Sequence, residues 1–499
     1  MELLHVPRQL GAAVSEAHKI RILVDGEVHS VGHLSPTTTV LQYLREHLGR
    51  CGTKEGCAEG DCGACTVVLG ELEGNAITYR AINACIRLLP TLDGKALFTV
   101  ESLKTASGGE LHPAQKAMVE CHGSQCGFCT PGFVMSLFAL YRTERNPTGD
   151  AVRHALSGNL CRCTGYRPIL AAAKRMYEYP GAADEPQDRR LVEQLRAIRV
   201  TGEKRMTVGN STYIAPTTVA ELARSIAERP DATILAGGTD VGLRVTKQYD
   251  ELPAVIYIGN VAELMRVTHS TEHIEIGATV NLTDAFAVLL AEYPELDEIA
   301  RRFASPPICN SGTLCGNIAN GSPIGDSMPA LICLGATVVL QSAAKSRSVS
   351  LEDFYLGYGK KDLAAGEFVA AVRVPRARKE RLVRSYKIAK RFDQDISAVC
   401  AAFSLELAAG KIRAARVCFG GMAATPRRAI ACEQALAGAA LNSKGIDGAV
   451  QALAKDFQPI TDMRASRDYR LRVAGNLLQR LALDAAPSRA NTNVWTYAG

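Results

Sequence analysis

At 499 residues the chain is too long for one ordinary hydrophobic core, and its length predicts about three domains. Hydrophobic residues make up 47% and charged residues 22%, an ordinary globular balance. The formal net charge of +6 is small for this size, and Lys and Arg interleave with acids, which argues against a nucleic-acid binder. No stretch approaches the ~18 apolar residues of a membrane span, and the start lacks a signal-peptide pattern, so a cytoplasmic location is expected.

Residues 1–18 read as an extension with little pattern. From Lys19, the run Ile-Arg-Ile-Leu-Val-Asp-Gly-Glu-Val-His-Ser-Val predicts two short strands around an Asp-Gly turn. Val40, Leu41, Leu44 and Leu48 share one face of a short helix over 39–48. A cysteine-rich loop follows, then strands over 66–70 and 76–80. This order describes a β-grasp ferredoxin-like domain over 19–92.

From 93 to 178 the pattern is helical. Thr130 is the predicted N-cap of an apolar helix with Pro131 at its first position, and helices are predicted over 150–157 and 168–177. Residues 179–205 are charged and Pro-containing and read as a linker. A mixed α+β domain is predicted over 206–384, with a helix over 218–229 and strands over 233–236, 255–258 and 273–278. Strands over 385–389, 399–406 and 412–419, followed by helices, predict a further α+β module over 385–499. No internal repeat is visible.

Of the sixteen cysteines, ten lie between Cys51 and Cys163. Without a secretory signal, metal ligation is a better reading for them than disulfides. Cys57, Cys62 and Cys65 have C-x4-C-x2-C spacing, with Cys85 as a distant fourth, which is the plant-type arrangement for a [2Fe–2S] cluster. Gly56, Gly60 and Gly63 let the loop fold so that amides point at sulfur. Structural zinc is the rival, but zinc sites usually pair their ligands as two short knuckles. Cys51 stands outside the motif.

A second set is Cys126 and Cys129 with Cys161 and Cys163. Each pair precedes helix-start residues, Thr130-Pro-Gly and Thr164-Gly-Tyr-Arg-Pro168, so each is expected at a helix N-terminus that favours an anionic cluster. By spacing alone zinc stays open here; the neighbouring ferredoxin motif favours a second [2Fe–2S] cluster. Two small-residue loops, Gly237-Gly-Thr-Asp240 and Asn310 to Asp326, lack the common nucleotide fingerprints. They could offer backbone amides to a diphosphate, although such a Gly-Gly-Thr-Asp sequence is more often only a turn.

With both cysteine motifs in this order, followed by these loops, the chain over about 19–490 resembles the small subunit of bacterial xanthine dehydrogenases. Gly52 to Thr66, Gln125 to Gly132 and Gly158 to Pro168 carry the resemblance most specifically. Other molybdenum hydroxylases, including aldehyde oxidoreductases and carbon monoxide dehydrogenases, share these motifs.

The resemblance implies an FAD-binding domain of the PCMH/vanillyl-alcohol-oxidase type and a C-terminal flavoprotein domain. It places Ile234, Leu235, Ala236, Gly237, Gly238, Thr239 and Asp240 in the first diphosphate loop, and Thr313, Gly316, Asn317, Asn320 and Asp326 in the second. It matches Phe303, Val369 and Lys387 to further flavin contacts, and Tyr358 to a position near the nicotinamide site. Cys309 replaces an arginine and Cys315 a glycine of the usual pattern. The family's molybdopterin domain and catalytic glutamate have no counterpart here, so no catalytic residue for substrate oxidation is expected in this chain. Electrons would come from a molybdenum cofactor on a large partner subunit. They would pass through the second cluster and then the first to FAD, and on to NAD, in oxidation of hypoxanthine and xanthine to urate. A two-plus-two heterotetramer is implied. The alternatives are the matching subunit of an aldehyde or N-heterocycle dehydrogenase, or a zinc-stabilised protein without redox function.

Overall fold

The computed structural model describes residues 19–106, 109–179, 184–486 and 492; the extension over 1–18 lies outside the described residues. The first unit is a five-stranded sheet built from Ile20–Val24, Glu27–Val31, Thr66–Glu73, Ala76–Asn83 and Ala96–Phe98. In space the order runs from Glu27–Val31 through Ile20–Val24, Ala96–Phe98 and Thr66–Glu73 to Ala76–Asn83. Asp25 and Gly26 have φ of 53° and 80°, the doubly left-handed turn that matches the twist of a two-residue hairpin.

Period-two alternation sends the two faces of this sheet to different cores. Ile20, Ile22, Val67 and Leu69 pack against Val40, Leu41 and Leu44. Leu23, Val68, Tyr79 and Ala81 turn the other way, onto Phe133, Leu137 and Phe138 of the helical unit. The short helix beneath the sheet begins at Val40 as an α-turn and widens into a π-type turn over Tyr43–His47.

The helical unit contains Pro113–Glu120, Thr130–Thr143, Gly149–Leu156 and Arg167–Arg175. Helix Thr130–Thr143 is central, with every residue from Gly132 to Leu140 buried. Its start differs from expectation. Cys129 is the N-cap and Thr130 already lies in the helix, its hydroxyl donating to Ser124 Oγ at 2.7 Å. The cysteine loop, rather than a side-chain cap, sets where this helix begins.

The stretch over 179–205 is more than a linker, because it contains helix Asp184–Ala197. Its charges suggested solvated chain, yet Leu191, Leu195 and Ile198 recur at helical spacing and join the core behind the first sheet. Asp188 ties the helix down, accepting from Tyr79 Oη and Arg142 Nη2, each at 2.6 Å.

Beyond it, Lys204–Val208, Ser211–Ala215, Ala254–Tyr257 and Thr233–Leu235 form one four-stranded sheet in that spatial order. Its last three strands are parallel. An antiparallel five-stranded sheet holds Val267–His269, His273–Gly277, Phe368–Pro375, Thr337–Gln341 and Ser346–Ser350. Helices Leu282–Glu292, Leu314–Asn320 and Ser327–Leu334 share its core. The last unit is an antiparallel sheet of Arg381–Ile388, Val399–Ala408, Lys411–Gly420 and Arg427–Arg428, backed by helices Ile430–Leu436, Asp447–Asp456 and Arg467–Ala485. Strand Arg381–Ile388 crosses the boundary expected at 384/385, since Arg381 pairs with Glu406 of this same sheet.

Candidate redox centres and flavin cavity

The loop after Gly56 winds tightly, with Ala58, Gly60 and Gly63 in left-handed conformations. The winding turns amides inward. Cys57 Sγ accepts from the amides of Cys62 and Asp61, both at 3.3 Å, and of Glu59 at 3.4 Å. Gly56 is required by space, because a Cβ there would lie 2.7 Å from Cys62 Sγ.

The four thiols stand within hydrogen-bond reach in the order Cys62, Cys57, Cys85, Cys65. Bonds from Cys62 and Cys85 hold the Cys57 thiol below its ordinary value, and one from Cys85 does the same for Cys65. As the donors in these bonds, Cys62 and Cys85 are pushed up. Among the described residues no three His, Cys, Asp or Glu groups surround a single-ion point. Four cysteines with amides directed at Cys57 suit an anionic two-iron core. Cys51 is exposed and apart from this set.

The second set meets across two loops. Cys129 reaches Cys161, and Cys126 reaches Cys163, so each pair takes one sulfur from before helix Thr130–Thr143 and one from before helix Arg167–Arg175. Burial and the Cys161 contact push the Cys129 thiol up to about 12. Burial acts the same way on Cys161, but hydrogen bonds from Thr164 outweigh it and bring that thiol down. Cys126 and Cys163 are exposed, so this centre opens to the surface.

The two cysteine loops touch directly. The amide of Leu160, next to Cys161, donates to the Cys62 carbonyl at 3.0 Å. Asn159, buried beside it, donates from Nδ2 to the Gly63 carbonyl at 3.0 Å and to Thr66 Oγ1 at 3.1 Å, and accepts from Ser136 Oγ at 2.6 Å. Gly63 allows this approach: a Cβ there would lie 2.1 Å from the Gly158 carbonyl oxygen. Asn159 lies within the Gly158 to Pro168 motif, but nothing in its sequence position marks it as the hub of this contact.

On its other side the first loop meets a cavity of about 850 Å³, large enough for a dinucleotide. Glu59 forms part of the wall and pairs with Lys247 at 3.4 Å, while Thr246 Oγ1 donates to the Ala58 carbonyl at 2.7 Å. Ile234, Ala236, Gly237, Gly238, Thr239 and Asp240 line the cavity from the first small-residue loop. Thr313, Gly316, Asn317 and Asn320 line it from the second, and Phe303 and Val369 add apolar wall. Among the described residues nothing accepts from the amides of Gly238, Thr239 and Asp240. A Cβ on Gly237 would fall 1.9 Å from the Ser311 carbonyl oxygen, so the loops meet backbone to backbone. Free amides on a loop with this little side-chain bulk suit a diphosphate.

Four of the residues that the resemblance singles out do not line this cavity. Leu235 alternates away from the cavity into a core with Leu88 and Tyr213. Asp326 and Lys387 do not line it but form a buried ion pair at 2.8 Å. Asp326 also accepts from Ser397 Oγ at 2.6 Å, and Lys387 donates to the Arg302 carbonyl at 2.8 Å. This places both at the junction with the C-terminal sheet. Tyr358 is 75% exposed beside the hairpin of Tyr355–Gly357 and Lys360–Lys361. Of the two unusual cysteines, Cys315 lines the cavity with its thiol directed at the Ile276 carbonyl at 3.6 Å. Cys309 is buried behind the wall and donates to the Phe303 carbonyl at 3.1 Å. Burial pushes both thiols up to about 12, which makes them packing groups at neutral pH.

Four family models match consecutive stretches: a 2Fe-2S iron-sulfur cluster binding domain over 23–88, a [2Fe-2S] binding domain over 99–174, the FAD binding domain in molybdopterin dehydrogenase over 206–377, and the CO dehydrogenase flavoprotein C-terminal domain over 384–485. The chain belongs to the molybdenum hydroxylase family, as its iron–sulfur and flavin portion. It is 32% identical to xanthine dehydrogenase of Emericella nidulans over 88% of this chain and 36% of that protein. With xanthine dehydrogenase/oxidase of Rattus norvegicus it shares 31% identity over 82% of this chain and 34% of the relative. The chain thus spans about a third of the length of these relatives. Carbon monoxide dehydrogenase from Hydrogenophaga pseudoflava superposes with a TM-score of 0.53 at 27% identity, covering 57% of this chain and all of that one. Quinoline 2-oxidoreductase from Pseudomonas putida 86 gives 0.52 at 28% identity, covering 57% and 99% respectively. Among the described residues no helix of this molybdenum hydroxylase component is long and apolar enough to cross a membrane.

Proposed function

We propose that this chain is the electron-transfer component of a xanthine dehydrogenase, oxidising hypoxanthine and xanthine to urate together with a large molybdopterin-binding partner. One observation carries the relay: the Cys57–Cys65 loop touches Leu160 beside the second centre and also, through Glu59, the wall of the flavin cavity. When bound, two [2Fe–2S] clusters supply one-electron transfer and FAD supplies the conversion to a two-electron hydride transfer to NAD. Cys57, Cys62, Cys65 and Cys85 would hold the inner cluster. Cys126, Cys129, Cys161 and Cys163 would hold the one nearest the surface, where the partner's molybdenum centre is expected to dock.

The protein's own groups keep the cofactors close and dry. The amides of Glu59, Asp61 and Cys62 offset negative charge at Cys57, and the Leu160–Cys62 hydrogen bond keeps the two loops in contact. The free amides of Gly238 to Asp240 would bind the diphosphate, and Phe303 and Val369 would exclude water from the flavin.

The likeness to xanthine dehydrogenases supports purines as substrates. The comparable likeness to quinoline 2-oxidoreductase and carbon monoxide dehydrogenase supports a second reading, the equivalent component of another molybdenum hydroxylase. The test is to purify the chain with whatever co-purifies and add xanthine anaerobically. Bleaching of the iron–sulfur and flavin absorbance, reversed by NAD, is expected. No bleaching with xanthine, but bleaching with an aldehyde or N-heterocycle, would select the second reading. Reoxidation by oxygen but not NAD would refute the dehydrogenase assignment.

A further inference from the structure

Arg87 follows the proposed cluster ligand Cys85 by two residues, in the segment between strands Ala76–Asn83 and Ala96–Phe98 of the first sheet. It is 7% exposed. Its Nη1 donates to the Gly237 carbonyl at 3.2 Å and its Nη2 to Tyr257 Oη at 3.4 Å. Its Nε is buried and has no partner among the described residues. The neighbouring segment is equally close, since a Cβ on Gly242 would lie 2.3 Å from the Ile86 carbonyl oxygen.

Arg87 borders a second cavity, of about 420 Å³, behind the two small-residue loops. The carboxylates there are already engaged. Glu71 pairs with Lys95, and Arg80 pairs with Asp284 at 2.8 Å and Glu73 at 3.6 Å. Arg87 therefore hydrogen-bonds only neutral oxygens, and the nearby buried Glu71 carboxylate is shared among Lys95, Arg87 and Arg80. A buried charge that shares its carboxylate with two other cations is only partly balanced, so a further anion close by would lower its cost.

The loop geometry says where that anion would sit. In a trans peptide the carbonyl and the next amide point in opposite directions. With the Gly237 carbonyl drawn back to Arg87, the Gly238 amide is directed the other way, toward the main cavity. Gly238 itself has φ of 81°, which continues the turn of free amides through Asp240.

We infer that Arg87 is a positioning residue for the FAD diphosphate: it orients the Gly237–Asp240 amides and sets a buried positive charge behind them. The inference rests on the reading of the main cavity as the FAD site. A residue of the iron–sulfur unit then governs cofactor retention in the flavin unit, from behind the loop and without lining the main cavity.

The experiment uses the full chain with its co-purifying partner, stripped of flavin and titrated with FAD or with riboflavin, which lacks the diphosphate. Arg87→Met should weaken FAD by about 10- to 100-fold, as expected for loss of a charge-assisted contact, and leave riboflavin affinity within about threefold. Both cluster EPR signals should persist. Arg87→Lys keeps the charge without the fork, so it should recover part of the affinity and displace the ³¹P resonances of bound FAD. Equal weakening of FAD and riboflavin would reduce Arg87 to a structural role, and unchanged FAD affinity would overturn the inference. If Arg87→Met does not fold, the lysine variant decides, and wild-type ³¹P shifts there refute the proposal. Failure of the underlying reading looks different: the wild-type protein itself would show no preference for FAD over riboflavin.

Discussion

Replacing Asn159 with alanine removes the hub between the two cysteine loops while leaving all eight proposed iron ligands in place. The side chain makes three buried hydrogen bonds, to Ser136 Oγ, Gly63 O and Thr66 Oγ1. The Gly63 carbonyl would not be stranded, because it still accepts from the Thr66 amide at 3.1 Å and hydroxyl at 2.7 Å. Ser136, 2% exposed, would lose its acceptor. At about 1 kcal/mol net per bond, and more for a stranded hydroxyl, the loss is about 3–4 kcal/mol. That corresponds to a factor of roughly 10²–10³ in the opening equilibrium of this contact. Hydrogen exchange followed by mass spectrometry reads it directly, since the Leu160 amide is protected by the Cys62 carbonyl on the same contact. Peptides covering 156–166 should exchange 10²–10³ times faster in the variant. Exchange within threefold of wild type would refute the view that Asn159 holds the loops together.

Cys62→Ser should abolish one EPR-visible cluster and leave the other cluster and FAD in place; loss of both cluster signals would show that the centres do not assemble independently. Asp326→Ala should cost about 3–5 kcal/mol by stranding the Lys387 charge, measured by urea denaturation. It should weaken FAD retention through the domain junction, so the double change Asp326→Leu, Lys387→Met should recover most of both losses. His112 should make the helical unit acid-sensitive. Burial first, and then the nearby Arg142 charge, lower its pKa to about 4, so the folded state holds it neutral while the unfolded state titrates near the ordinary 6.5. Its contribution is fully present above pH 6.5 and is lost as pH falls toward 4, by about 3 kcal/mol in all. A urea midpoint for this unit that does not fall across that window in wild type, or falls equally in His112→Asn, would count against this.

The chemistry of this molecule was legible wherever ligands sit close together in the chain. Cys57, Cys62 and Cys65 sit in one loop, and Cys126–Cys129 and Cys161–Cys163 are local pairs, so spacing reports the cofactor class for the first set and, with that motif beside it, for the second. The Asp25-Gly26 turn and the alternation of Ile20, Ile22 and Val24 are local signals too. The helix over Asp184–Ala197 was hidden because its charged residues outnumber the Leu191, Leu195 and Ile198 stripe that buries it. Local pattern could not say how the centres are joined. Leu160 meets Cys62 across 98 positions of chain, and Arg87 meets Gly237 across 150. Nor could pattern separate Leu235, Asp326 and Lys387 from the residues that line the flavin cavity, because a motif match carries no side-chain direction. Most of the cysteines proposed to gather iron are marked by their neighbours in the chain. How the proposed iron loops and the flavin loop are set against one another is a matter of long-range contacts such as Arg87 with Gly237 and Ile86 with Gly242, and those exist only once the domains have packed.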